Sequence, residues 1–282
     1  MRVRSTFLLV FACVGTWGVV LAQNPFRDYM PELVANNQTE AAAEWLRGRL
    51  PLPADWNRPA EWTRGRLKFT SVGVLHPQAH TGWMGWATDY PTGDRNFLQG
   101  LRRLTLIDVR SVEQVVELDG SDDIYNWPFI WAVEPGHWQL FEDEADQLRE
   151  YLERGGFLMT DDFHGTIEWN NFMVGLRKVF GNRPVVDIAN DHPVFHVLYD
   201  LDKRTQIPGK QFLQSGVPYE FDGFEPKWRA IFDDKGRIMV AICHNMDLSD
   251  AIEHSNDPEY PEEWASMAYR IAVNYVVYDL TH

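Results

Sequence analysis

After residue 22 the sequence holds a single cysteine, Cys243, so no intramolecular disulfide can form in that part of the chain. Other absences narrow the function further. There is no phosphate loop, no dinucleotide glycine fingerprint, no G-x-S-x-G elbow and no zinc-finger spacing. Positive charge is scarce: 26 Lys and Arg stand against 41 Asp and Glu, a formal charge of −15. That balance argues against nucleic acid and anionic lipid as partners, since both need basic patches. Beyond Leu21 no run is apolar enough to cross a bilayer. Internal repeats and low-complexity tracts are absent as well.

What is present begins with an export signature. Arg2 and Arg4 precede an apolar core, Phe7 to Leu21, and Val20-Leu21-Ala22 is a small-residue cleavage site before Gln23. Residues 1–22 are therefore expected to be a signal peptide that directs the protein to the periplasm or the medium. No stable membrane span is expected after its cleavage. Loss of Arg2 and Arg4 takes the formal charge from −15 to −17. About 260 residues remain, enough for one large domain. Residues 23–65, with Trp45, Trp56 and Trp62 among Pro51, Pro53 and Pro59, read as an arm, with a helix expected over 40–49. Such an arm can meet an envelope protein. Residues 66–282 read as the main domain.

That domain is organised around YLERGGFLMTDDFHG, Tyr151 to Gly165. Helical spacing of Phe141, Ala145, Leu148 and Leu152 ends at Gly155-Gly156, where a left-handed cap is cheapest as glycine. Phe157 to Thr160 then suits a strand buried on both faces. Asp161, Asp162 and His164 follow, before a helix over 166–180. Further strands are expected over 67–74, 126–133 and 184–188, with a hairpin of 228–232 and 237–243 about Asp233-Asp234-Lys235-Gly236. Short extended segments are expected over 105–109 and 112–118. Asp94 is expected to cap a helix ending at Leu104, and a last helix covers 262–278. Alternating strands and helices imply an α/β fold with a mainly parallel sheet and helices on both faces. In such sheets ligands bind at the carboxyl ends of the strands.

The best chemical constellation is Asp161, Asp162 and His164, which can act as general acid and base; Asp162 and His164 can also hold a divalent metal. The long loop after the first strand adds His76, His80, Trp83, Trp86, Asp89 and Tyr90 as ligand-binding candidates. The end of the last strand adds Asn245 and Asp247. His192 and His196 stand four apart beside Pro193 and read as a structural turn. Cys243 and His244 are adjacent on a strand, so they point to opposite faces and do not form a catalytic pair.

Four blocks carry a family resemblance: WATDYPTGDRNF, YLERGGFLMTDDFHG, DHPVFHVLYDLD, and HNMDLSDAIEHSNDPEYP running on to NYVVYDL. Together, from about Arg66 onward, they resemble a bacterial family catalogued as a domain of unknown function, number 4159. The resemblance implies a flavodoxin-like fold similar to class I glutamine amidotransferases and trehalose-utilisation-type proteins. Amidotransferases need a cysteine at the strand-to-helix elbow, where this chain has Asp161 and Asp162, so glutamine hydrolysis is not expected. The first expectation is a non-catalytic α/β domain binding a small molecule, a carbohydrate or a protein. The alternatives are a metal-assisted hydrolase using Asp161, Asp162 and His164, and a structural subunit of an envelope assembly.

Overall fold

Apolar runs too short to be helices become the buried strands of an α/β fold. The computed structural model describes residues 52–72 and 85–282. The expected signal peptide, the helix over 40–49, and His76, His80 and Trp83 lie outside the described residues. In chain order the elements are β1 (Gly65–Lys68), β2 (Thr70–Ser71), α1 (Thr92–Leu104), β3 (Gln114–Glu117), β4 (Phe129–Val133), β5 (Trp138–Gln139), α2 (Glu142–Glu153) and β6 (Phe157–Asp161). Then come α3 (Gly165–Phe180), β7 (Val186–Asp187), α4 (Phe212–Ser215), β8 (Lys227–Phe232), β9 (Ile238–His244), α5 (Leu248–Glu253) and α6 (Glu262–Thr281).

Seven strands form one sheet in the order β3-β1-β4-β6-β9-β8-β7. The first five are parallel. The other two extend the sheet antiparallel, β8 on β9 and β7 on β8. Parallel strands need both faces covered, and side-chain alternation assigns each face its core. Phe129, Trp131 and Val133 of β4, with Phe157 and Met159 of β6, face the side filled by Phe97 and Leu101 of α1 and Ile271 and Tyr275 of α6. Ile130, Ala132 and Leu158 face the opposite side, with Leu148 and Leu152 of α2 and Phe172 and Leu176 of α3. The four strand ends that matter below, of β1, β4, β6 and β9, therefore open on one edge.

Several expectations are corrected here. The strand expected over 67–74 is two short pieces, and the second, β2, pairs with β5 outside the main sheet. The segment 105–109 joins no strand; Val109 only bridges Trp62. Asp94 does not cap α1, which starts at Thr92. Its carboxylate is fully buried instead, 2.9 Å from Arg64 Nε and 3.2 Å from Arg66 Nη1, and ties the helix to the strand beneath it. The acidic segment after His244 forms α5, because Asp247 accepts the Asp250 amide and caps the helix.

The start of α3 is closed from a distance. His164, at the cap position, makes no side-chain cap bond. Asp222 Oδ1 accepts the Thr166 amide at 2.8 Å and Oδ2 accepts its hydroxyl at 2.5 Å. Gly165, at φ +67°, has to be glycine because a Cβ would overlap Asp222 Oδ1. Replacing Asp222 by alanine is expected to cost about 1 kcal/mol, the usual worth of a cap. Urea unfolding of the variant against the parent measures it.

Candidate functional site

The edge where β1, β4, β6 and β9 end carries a cleft of about 260 Å³. Most of its lining comes from segments following parallel strands. Asp89 stands in the long connection after β1, Glu134 directly after β4, and Asp162 and His164 after β6. Glu168 belongs to the first turn of α3, Asp247 follows β9, and Asp250 sits on α5. Glu220 and Gln211 close the remaining side. Seven carboxylates and one imidazole thus face one cleft, with no Lys or Arg in its described lining.

The backbone is bent to bring them there. Asp89, Glu134 and Asp162 hold φ of 61°, 56° and 57°. These are left-handed conformations that non-glycine residues rarely adopt, and they concentrate at functional sites. Asn245, at φ 64°, shores up the same edge. Its Oδ1 accepts the Gly165 amide at 2.9 Å and its Nδ2 donates to the Glu225 carbonyl at 2.7 Å.

Within the cleft, ligand atoms of Asp162, His164 and Asp247 lie within 4.8 Å of one another. All three residues are buried, His164 to 4% exposure. Neither ring nitrogen of His164 has a hydrogen-bond partner. Nε2 stands 3.4 Å from Asp162 Oδ1 and 3.8 Å from Glu220 Oε1, without hydrogen-bond alignment. The histidine is held in place through its backbone, whose amide donates to Glu168 Oε2. Glu168 Oε1 in turn lies 3.2 Å from His137 Nε2. His137 also stands 3.6 Å from Glu134.

Burial, and then like charge, shifts several of these titrations. Burial, then the carboxylates of Asp162, Glu168, Glu220 and Asp89, push Glu134 well above the ordinary range. Burial, then Asp162, Asp250 and Asp89, do the same to Asp247. Asp89 moves the same way, through burial and then Asp250, Glu253 and Asp162. Asp162 is raised to about 7, with burial outweighing the pull of His164. Burial alone would lower His164, but Glu220, Asp162 and Glu168 override it and raise the imidazole to about 9. In the fold these groups therefore favour their protonated forms.

The other sequence candidates have structural posts. Asp161 is wholly buried outside the cleft: Oδ1 accepts Trp131 Nε1–H at 2.5 Å and Oδ2 accepts the Ser249 amide at 2.8 Å. It belongs to β6, on the same face as Phe157 and Met159, and braces α5 instead of meeting a ligand. Trp86 and Tyr90 are core residues, 2% and 1% exposed, packed on each other at 5.5 Å. His244 lies against Phe163 and Trp169, with Nε2 3.1 Å from the Gly165 carbonyl. Burial foremost lowers it to about 3, so it stays neutral and donates there. Cys243 faces the opposite core, and burial pushes its thiol well up. His192 accepts the Val194 amide and His196 meets Asp200, so the pair shares no ligand geometry.

Glu134, Glu168, Gln211 and Glu220 were missed as site residues. Glu134 had a readable signal, a carboxylate directly after a buried strand. Glu220 had none, since residues 200–226 show no periodicity.

The family model described as "Domain of unknown function (DUF4159)" matches residues 77–280, and the chain belongs to that family. No curated protein matches it.

Proposed function

We propose that this member of the family is an exported α/β protein that binds a divalent cation through Asp162, His164 and Asp247 and uses it in metal-assisted hydrolysis. One observation carries the reading: a buried imidazole with no hydrogen bond to either ring nitrogen stands among carboxylates whose ligand atoms converge to within 4.8 Å. Buried polar atoms without hydrogen bonds are costly in a protein interior. A cation satisfies the imidazole and the carboxylates together. Mixed carboxylate and imidazole donors suit Mn²⁺, Zn²⁺ or Fe²⁺.

Such a cation would supply Lewis acidity and lower the pKa of bound water. Glu134, buried in the same cleft lining and held above its ordinary range, would serve as the general base. We read the parallel strand order, second-first-third-fourth-fifth along the chain, as the flavodoxin-like, amidotransferase-like winding. The cleft then sits in the crevice that this winding creates. Cys243, buried away from the cleft, supports water activation over thiol chemistry. Export rests on residues 1–22, and the mature protein is expected to begin at Gln23, which N-terminal sequencing of protein recovered from the periplasm or medium checks.

Hydrolysis is tested by assaying the mature chain against nitrophenyl esters, phosphoesters and glycosides, with Mn²⁺ or with EDTA. Turnover that needs Mn²⁺ and vanishes in Asp162→Asn supports the reading. Mn²⁺ binding with no turnover on any class favours the binding role instead. That second reading has its own observation. Tyr219 and Phe224, both exposed and packed edge to face at 4.8 Å, flank Glu220. Aromatic faces beside an acceptor-rich cleft suit a carbohydrate.

Glu168 offers a further check. It fixes His164 and is itself held by His137, as outer residues of metal sites are. Glu168→Gln is expected to weaken Mn²⁺ binding roughly 10–100-fold, the usual cost of losing such support. Calorimetric titration measures the change, and an unchanged affinity would remove Glu168 from the site.

A further inference from the structure

Among the cleft residues that the cation reading leaves unused are Gln211 and Asp250. Asp250 lies outside the group formed by Asp162, His164 and Asp247, yet it meets Asp247 at another point. A Cβ placed on Gly209 would come within 3.0 Å of Asp247 Oδ2, Gln211 Oε1 and Asp250 Oδ2 at once. Three oxygens from three residues therefore converge above a backbone position that has no side chain to fill the space.

The surrounding bonds leave all three oxygens facing the same space. Asp247 is 5% exposed. Its Oδ1 accepts the Asp250 amide at 3.0 Å, while its Oδ2 receives no hydrogen bond from the described residues. The Gln211 amide nitrogen donates to Glu220 Oε1 at 2.8 Å, which turns the amide oxygen toward the two aspartates. Asp250 Oδ2 takes the Lys210 amide, and Oδ1 stands 3.1 Å from His254 Nε2. The ring of His254 also stands 3.7 Å from Glu253 Oε2, and neither it nor the Lys210 amide bonds Asp247 Oδ2. A carboxylate oxygen facing two further oxygens, with no hydrogen bond of its own, leaves a place for a cation. Hard oxygen donors arranged this way match Mg²⁺, Mn²⁺ or Ca²⁺.

Resting on the single-cation reading above, we propose that the cleft is a two-cation centre. The second divalent ion is bound by Asp247, Gln211 and Asp250, and Asp247 is shared between the ions. A carboxylate bridge places two ions about 3.5–4 Å apart, the spacing of two-metal hydrolytic sites.

The test uses Mn²⁺ with the mature chain, by calorimetry for stoichiometry and by electron paramagnetic resonance for coupling. The wild type is expected to bind two Mn²⁺ per chain with an exchange-coupled spectrum. Gln211→Leu and Gly209→Ala are each expected to bind one, with an uncoupled spectrum and unchanged circular dichroism. These variants act independently, so a folding failure in one leaves the other as the test. One Mn²⁺ per chain in the wild type overturns the two-cation centre and leaves the single site standing. No Mn²⁺ overturns both. Two coupled ions that persist in Gln211→Leu overturn the assignment of the second ligand set.

Discussion

Replacing Asp162 by asparagine is expected to weaken divalent-cation binding on the order of 100-fold or more, while making the cation-free protein more stable. The first figure follows from scale. Residues that merely support a metal ligand are worth roughly 10–100-fold, so a direct carboxylate ligand lies at or beyond the upper end. The second effect has the opposite sign because of what surrounds the group. Asp162 is buried beside Asp161 and Glu220, and its pKa of about 7 shows that the folded state disfavours its charge. The side chain accepts no backbone hydrogen bond among those described, and burial outweighs its attraction to His164 at 3.4 Å, so asparagine removes a net cost without opening a structural gap. Calorimetric Mn²⁺ titration and thermal melting in EDTA read the two effects separately. A variant that melts lower and binds equally well would make Asp162 a structural residue. His164→Ala is expected to lose binding to a similar degree.

Raising the pH is expected to destabilise the cation-free protein and to tighten its grip on a cation. His164 is raised in the fold to about 9 from an ordinary 6.5. The stability it contributes is full below about pH 6.5 and is lost as the pH rises through 9. Asp162 is raised to about 7 from 3.8, so the fold favours its protonated form. That preference is complete below about pH 4 and is lost as the pH rises through 7. Both trends run downward from pH 5 to pH 9, and the raised Glu134, Asp247 and Asp89 run with them. The His164 shift alone corresponds to on the order of 3 kcal/mol. A bound cation displaces these protons, so apparent affinity should climb by up to about tenfold per pH unit for each proton released. Melting curves from pH 5 to 9 in EDTA, paired with Mn²⁺ titrations from pH 6 to 8, check both halves. A flat profile in EDTA, or affinity that falls with pH, would contradict the electrostatic account of the cleft.

Much of the scaffold was legible because short apolar runs leave few alternatives. FIWAV and FLMTD have no helical period, and each is buried on both faces as a central parallel strand must be. The Gly155-Gly156 stop and the strand-end position of Asp162 and His164 followed from the same stretch. Asp161 shows what a closer reading of the alternation would have added. Residues 157, 159 and 161 share a face, so a residue in register with Phe157 and Met159 belongs to the core unless the strand ends first. Trp86 and Tyr90 misled because a polar-looking connection folds inward: the Trp86 carbonyl accepts Arg66 Nε–H, and both rings fill the core behind it. Glu134, Glu168 and Glu220 come from three separate segments, and their meeting is a property of the sheet order, which no local spacing encodes.

The central claim is tested most directly by crystals of the mature chain soaked in Mn²⁺, with anomalous scattering used to place the ion. The account predicts a peak at about 2.0–2.4 Å from a carboxylate oxygen of Asp162, a ring nitrogen of His164 and a carboxylate oxygen of Asp247. An empty anomalous map over these three, with His164 hydrogen-bonded to water or to an organic ligand, would contradict it and return the cleft to a purely binding role.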